Sequence, residues 1–257
     1  MAHKKPEKYI LLEKNIPAPG YCRLTFKAPR IAEMAEPGQF VMVYMPPEHK
    51  YMLPRPFSVH LADRSSGTFS LLFEVKGTGT DLMFKAVEGS TWKITGPLGR
   101  GFPALPPDAL LVAGGIGMAP LAFLAASTEL PRTLLFGGRD AAQLACLPGV
   151  LELPNLTTIE VTEDGSRGQK GLATDYLPEL LLSVQALFAC GPRPMLSIIK
   201  ELCLHEKVPA WFSMEERMAC GIGACVGCAV QTREGYKRAC SDGPVFPAEE
   251  VLFNEQR

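Results

Sequence analysis

Over the first hundred residues the apolar positions come in short runs, some continuous and some alternating with polar ones. The runs fall at 9–15, 21–28, 38–45, 55–62, 68–76 and 91–96. Breakers separate them: Pro17-Ala18-Pro19-Gly20, Pro37-Gly38, Pro46-Pro47 and Ser65-Ser66-Gly67. Runs this short, at this spacing, predict strands of an antiparallel sandwich or barrel. One helix is expected to interrupt them, starting near Thr80 or Asp81 and running to Val87, with Thr80 as its N-cap.

The pattern changes after the proline-rich stretch 102–109, which reads as a linker. Strand-like runs at 109–114, 132–138, 156–163, 185–191 and 208–214 then alternate with helical runs at 118–127, 174–183 and 192–206. The 208–214 run closes this series. Alternation of this kind predicts a parallel sheet with crossover helices. From about Glu215 the chain becomes short, Gly- and Cys-rich, and too small to own a core, so a bound metal is expected to order it. The expected division is 1–103, 104–214 and 215–257.

The chain has 257 residues, 47% of them hydrophobic, and a formal net charge of −1. It reads as a soluble protein with no basic block for nucleic acid and no apolar run long enough for a membrane span. The N-terminus has charge but no apolar core of a signal peptide, so a cytoplasmic location is expected. Eight cysteines raise the alternative of disulfides. Their distribution favours ligation: Cys22, Cys146, Cys190 and Cys203 are scattered, whereas Cys220, Cys225, Cys228 and Cys240 are clustered.

That cluster has the C-x4-C-x2-C…C spacing of a plant-type [2Fe–2S] site. Gly221, Gly223 and Gly227 leave room for a loop to wrap thiolates around a cluster and permit positive φ. Zinc is the alternative, but it prefers two separated C-x2–4-C knuckles, commonly with histidine. Here there is one C-x2-C, one x4 arm and no nearby histidine.

Two upstream constellations have the chemistry of nucleotide cofactors. Arg55-Pro56-Phe57-Ser58 offers a cation and a hydroxyl stiffened by proline, and Lys76-Gly77-Thr78-Gly79-Thr80 opens the expected helix as an anion site. The stretch 96–102, GPLGRGF, is placed to wall a flavin ring. Gly114, Gly115 and Gly117 form a strand–turn–helix junction that lets backbone approach a pyrophosphate, without the third glycine of the standard dinucleotide fingerprint. Cys190 and Gly191 end a later strand of the same sheet. Arg139 suits a 2′-phosphate and Asp140 a free 2′-hydroxyl, so NAD and NADP are not separated at this point.

Taken in order, RPFS, GTGT, GPLGRGF, GGIGMAP, ACGP, SMEERMACGIGACVGCAV and RACSDGPVF resemble the ferredoxin–NADP reductase superfamily over essentially the whole chain. More narrowly, the chain is similar to the family of electron-transfer subunits of NAD-dependent dihydroorotate dehydrogenases. The resemblance implies a multidomain β plus α/β fold. Its parts are an N-terminal antiparallel flavin-binding β-barrel, a Rossmann-like parallel-sheet nicotinamide domain and a small C-terminal [2Fe–2S] segment. It implies FAD contacts at Arg55, Pro56, Phe57, Ser58, Leu72, Phe73, Glu74, Gly79 and Thr80, NAD(H) as substrate, and Cys220, Cys225, Cys228 and Cys240 as cluster ligands. It also implies a partner, an FMN-containing dihydroorotate dehydrogenase catalytic subunit, in a 2+2 heterotetramer serving pyrimidine biosynthesis. Subunits of ferredoxin:NADP oxidoreductase, sulfide dehydrogenase and hydrogenase complexes share these modules. One position departs from the family: Glu74 stands where an arginine is usual. Either it points elsewhere or a cation such as Lys76 compensates.

Overall fold

The computed structural model describes residues 5–46, 53–145 and 152–253; Pro47 and Cys146 lie outside the described residues. The N-terminal runs become β1 (Glu7–Asn15), β2 (Tyr21–Lys27), β3 (Phe40–Tyr44), β4 (Arg55–Ser58), β5 (Leu61–Asp63), β6 (Thr68–Glu74) and β7 (Thr91–Leu98). They form one sheet in the order β4-β3-β7-β1-β2-β6-β5, with every pairing antiparallel. Its two edge strands, β4 and β5, are neighbours in sequence. Between them Val59 N–H bonds to Gln39 O and His60 N–H to Ser70 O, both at 2.9 Å, so the sheet curls into a barrel. Alternation along β2 sends Cys22, Leu24 and Phe26 inward, where Phe26 stacks on Phe69 at 5.5 Å between ring centroids.

Two details of the barrel differ from the sequence reading. A short helix, α1 (Pro29–Met34), follows β2; Pro29 fits its first turn, and only Ile31 and Ala32 are buried, too few to show a helical period. The expected helix is α2 (Thr78–Phe84), capped by Gly77 rather than Thr80. Thr80 sits inside the first turn. Its Oγ1 accepts from the N–H groups of Lys76 and Gly77 at 3.0 and 3.1 Å and donates to Gly77 O at 2.9 Å.

The second half contains β8 (Ala109–Gly114), α3 (Met118–Ala126), β9 (Arg132–Gly138), α4 (Ala141–Leu144), β10 (Leu156–Thr162), β11 (Gln169–Lys170), α5 (Leu177–Leu180), β12 (Leu187–Cys190), α6 (Arg193–Glu206) and β13 (Ala210–Ser213). The tail adds a hairpin of β14 (Ala229–Thr232) and β15 (Gly235–Arg238), then β16 (Val245–Pro247). The sheet order is β11-β10-β9-β8-β12-β13-β16, parallel except for β16. So β13 does not close the series: a strand from the tail pairs outside it. The helix expected over 174–183 breaks into a 3-10 turn (Ala173–Tyr176), α5 and a second 3-10 turn (Leu181–Ser183). Pro178 in the first turn of α5 has no N–H to bond back, so the helix restarts there.

The tail does not stand apart from the fold. Cys228, Val230, Ala239, Cys240, Phe246 and Val251 share one buried cluster with Phe40, Met42 and Leu98 of the barrel and Leu110, Val112 and Phe212 of the parallel sheet. Lys200 Nζ on α6 also donates to Val251 O at 2.7 Å.

Candidate functional site

The four clustered cysteines converge. The Cys225 thiol donates to Cys220 Sγ at 3.3 Å, Cys228 hydrogen-bonds Cys240, and Gly223 N–H points at Cys240 Sγ at 3.2 Å. Burial would raise the Cys220 thiol. The N–H groups of Ile222, Cys225 and Ala224, together with the Cys225 thiol, outweigh it and bring the pKa down from 9.0 to about 6. Burial pushes the Cys240 thiol up, and neighbouring Cys228 adds to the shift. Among the described residues, no three His, Cys, Asp or Glu side chains gather to hold one metal ion. Two thiol pairs suit a two-iron centre, in which each iron takes two thiolates, and the inward N–H groups suit its sulfurs.

Backbone geometry makes that loop specific. Gly221 and Gly223 have φ of 68° and 81°, whereas Gly227 is not in the left-handed region. Arg238 Nη1 donates to Gly223 O at 2.8 Å and ties the loop to the hairpin. Gly221 packs on Met42 of β3, and Met42 pairs in register with Pro56 of β4. The cysteine loop therefore lies one strand away from Arg55-Pro56-Phe57-Ser58.

Those four residues are themselves a half-buried strand, and the 55–62 run is divided between β4 and β5. A Cβ on Gly79 would meet Arg55 Nε at 3.4 Å, so the guanidinium lies beside the start of α2. Phe57 tilts against Phe73 at 5.5 Å between centroids. Leu72 and Phe73 are buried in the cores, which leaves only their backbone for a ligand. Thr80 Oγ1 is occupied by its own turn, as described above. Glu74, at the end of β6, pairs with Lys76 Nζ at 2.9 Å and lines the cavity over the parallel sheet. Backbone at Gly79 and positive charge from Arg55 fit a pyrophosphate-bearing flavin.

A cavity of about 790 Å³ opens over the carboxyl ends of the parallel strands. Its floor contains Gly114, Gly115, Gly117 and Gly191, and Glu74 and Lys76 of the barrel form part of its wall. Strand carboxyl ends are where such sheets bind ligands. The glycines allow close approach. A Cβ on Gly117 would collide with Cys190 O and come within 2.8 Å of Gly191 N, and one on Gly114 would meet Met195 Sδ and Pro192 Cδ at 2.8 Å. Gly115 has φ of 53°. Cys190 itself is buried beneath this floor. Burial pushes its thiol well up, Glu215 adds to the shift, and a hydrogen bond with Ser213 opposes it. Asp140 spends its carboxylate capping α4 through Gln143 N–H at 2.9 Å, while Arg139 lines the cavity.

Several lining residues carry no local signal in the sequence. Gln143 joins the units: its Nε2 donates to Tyr21 OH of the barrel at 3.2 Å and its Oε1 accepts from Arg139 N–H at 2.8 Å. Glu215 is exposed, but into the cavity. Crowding by protein raises its carboxyl, Lys76 lowers it and Glu74 raises it. Arg193, at the start of α6, is ion-paired with Glu216. His60 on the barrel bonds through Nδ1 to Ala119 O of α3 at 3.2 Å. Among the described residues no helix is long and apolar enough to cross a membrane.

The model of the iron–sulfur cluster binding domain of dihydroorotate dehydrogenase B matches residues 215–252. A dihydroorotate dehydrogenase B (NAD(+)) electron transfer subunit of Caldanaerobacter subterraneus subsp. tengcongensis is 41% identical over 84% of this chain and 87% of its own. The corresponding subunit of Desulforamulus reducens is 38% identical over 92% of this chain and 94% of its own. Among solved structures, an NADH-dependent reduced ferredoxin-NADP oxidoreductase, studied for flavin-based electron bifurcation, superposes with a TM-score of 0.86. It is 27% identical, and the match covers 95% of this chain and 89% of that one.

Proposed function

The chain belongs to the family of dihydroorotate dehydrogenase B electron-transfer subunits, and from that premise we propose how its residues divide the work. It is a flavin- and iron–sulfur-dependent oxidoreductase subunit that uses FAD, a [2Fe–2S] cluster and NAD(H). In the complete reaction dihydroorotate and NAD+ give orotate, NADH and a proton, a step of pyrimidine biosynthesis. Its catalytic partner is a dihydroorotate dehydrogenase subunit. In our reading that partner carries FMN, the assembly is a 2+2 heterotetramer, and it works in the cytoplasm. When bound, the flavin exchanges two electrons as hydride with the nicotinamide and the cluster carries electrons singly.

The protein's part is positioning. In this reading the units are 1–103 for FAD, 104–214 for NAD(H) and 215–257 for the cluster. Arg55 and Ser58, with backbone at Pro56, Phe57, Leu72, Phe73, Glu74, Gly79 and Thr80, hold the flavin. Gly114, Gly115, Gly117 and Gly191 seat the dinucleotide, and the buried Cys190 supports that floor. Cys220, Cys225, Cys228 and Cys240 hold the cluster. The observation that carries the reading is the contact of Gly221 with Met42, because it puts the cysteine loop on the strand next to the one assigned to the flavin.

The test is anaerobic co-purification with an FMN-containing dihydroorotate dehydrogenase, followed by dihydroorotate-driven NAD+ reduction. NADH formation is expected; a stable complex that forms none overturns the reading. The likeness to the ferredoxin-NADP oxidoreductase favours a second reading, a subunit that exchanges electrons with ferredoxin. Reduced ferredoxin replacing dihydroorotate as the donor in the same assay selects it.

A further inference from the structure

The cavity over the parallel sheet has three cations in its lining: Lys76, Arg139 and Arg193. Lys76 is engaged by Glu74 at 2.9 Å and is 68% exposed. The other two flank the glycine turn from opposite sides. Arg139 ends β9, and its N–H is held by Gln143, whose Nε2 lies 3.0 Å from where a Cβ of Gly115 would be. Arg193 starts α6, between Pro192 and Met195, the two residues packed at 2.8 Å against a Cβ position on Gly114. Arg139 and Glu163 both line this cavity, whereas the Arg193 guanidinium is itself held by a carboxylate. One of its terminal nitrogens is held by Glu216, which is only 17% exposed, and Arg193 itself remains 42% exposed.

We infer that Arg193 is a ligand of the dinucleotide's diphosphate, and that Glu216 is the positioning residue that aims it. The inference rests on the reading of this cavity as the nicotinamide nucleotide site. A guanidinium has five N–H donors in a rigid fork. Holding one nitrogen on a carboxylate fixes the plane and leaves the other edge for phosphate oxygens, so less side-chain freedom is lost on binding. The partly buried carboxylate also lowers the cost of placing a bare cation beside the apolar Met195 and Pro194. The cation supplements the backbone of the Gly114–Gly117 turn, which brings no side-chain charge of its own. Glu216 lies four residues before Cys220, so the same ion pair joins the nucleotide floor to the start of the cysteine loop.

The experiment uses the complex with its catalytic subunit and two probes: NADH in a dye-reduction assay, and ADP-ribose, which keeps the diphosphate and drops the nicotinamide, by calorimetry. Arg193→Ala is expected to raise KM for NADH and Kd for ADP-ribose about tenfold with kcat within about twofold, the loss expected for charge-assisted bonds. Arg193→Lys is expected to recover part of the loss. Glu216→Gln is expected to raise both constants by a smaller factor in the wild-type background and to add nothing in the Arg193→Ala background, because it acts only through Arg193. Flavin content and melting temperature show that each variant is folded. Unchanged KM and Kd in a folded Arg193→Ala protein overturn the inference and leave the nucleotide site standing. A full additional effect of Glu216→Gln in that background overturns the positioning role. Wild-type complex that binds neither probe overturns both this inference and the reading beneath it.

Discussion

Gly221 and Met42 are in contact across the junction of the cysteine loop and the barrel: a Cβ on Gly221 would come within 2.7 Å of Met42 Sδ and closer still to its Cγ. Gly221 also has φ of 68°, and Met42 is fully buried. Gly221→Ala therefore adds left-handed strain to overpacking, together about 2–4 kcal/mol. The expected outcome is iron and sulfide content well below one cluster per flavin, with flavin retained. Met42→Ala in the same chain relieves only the steric part, so recovery is expected to be partial. Iron, sulfide and flavin assays on the three proteins check this.

Gly117→Ala tests the floor of the cavity. Its Cβ would collide with Cys190 O and meet Gly191 N at 2.8 Å, both backbone atoms that no rotamer change can move aside. The two turns must part, so KM for NADH is expected to rise more than about tenfold and the melting temperature to fall by several degrees. Steady-state kinetics and a thermal melt measure both; unchanged KM would show that this approach is not needed for binding.

Cys225→Ser separates two routes through the molecule. The Cys225 thiol lies against Cys220 Sγ, remote in sequence from the glycine turn proposed to seat the nucleotide. Cluster iron is expected to be lost. NADH:dye reduction should stay within about threefold, while dihydroorotate-driven NAD+ reduction should fall at least about a hundredfold, since the cofactors carry the chemistry. Equal losses in both assays would mean that the loop supports the flavin site as well.

His60 gives the pH dependence. Burial, outweighing its bond to Ala119 O, lowers its pKa from 6.5 to about 4, so the folded protein holds it neutral. Between pH 6.5 and 4 the unfolded chain takes up a proton that the folded one does not. Stability from this group is therefore complete above pH 6.5, falls as the pH drops toward 4 and levels off below, by about 3 kcal/mol at most. His60→Gln should flatten that portion of the curve. Denaturant melts of both proteins across this range, compared as a difference, give the readout.

Much of the architecture is written locally. β9 coincides with the 132–138 run residue for residue, because a continuous apolar stretch ended by Gly137-Gly138 has one way to be buried between β8 and β10. The cysteine spacing is what points to the proposed ligand set, since thiolates at those intervals have few other uses. What depends on partners distant in sequence was not legible. Three residues of β16 carry no period, and only pairing with β13 makes them a strand. Thr80 looked like a cap from its neighbours, but the helix is capped three residues earlier, at Gly77. The links from Gln143 to Tyr21, His60 to Ala119, Arg193 to Glu216 and Gly221 to Met42 join segments that no local pattern relates. By itself the sequence determined which cofactor chemistries this chain carries, because those depend on residue types at short spacings. Only the tertiary structure decided how the cysteine loop, the barrel strands and the glycine turn lie relative to one another, because that depends on packing between surfaces that meet only once the barrel, the sheet and the tail share a core.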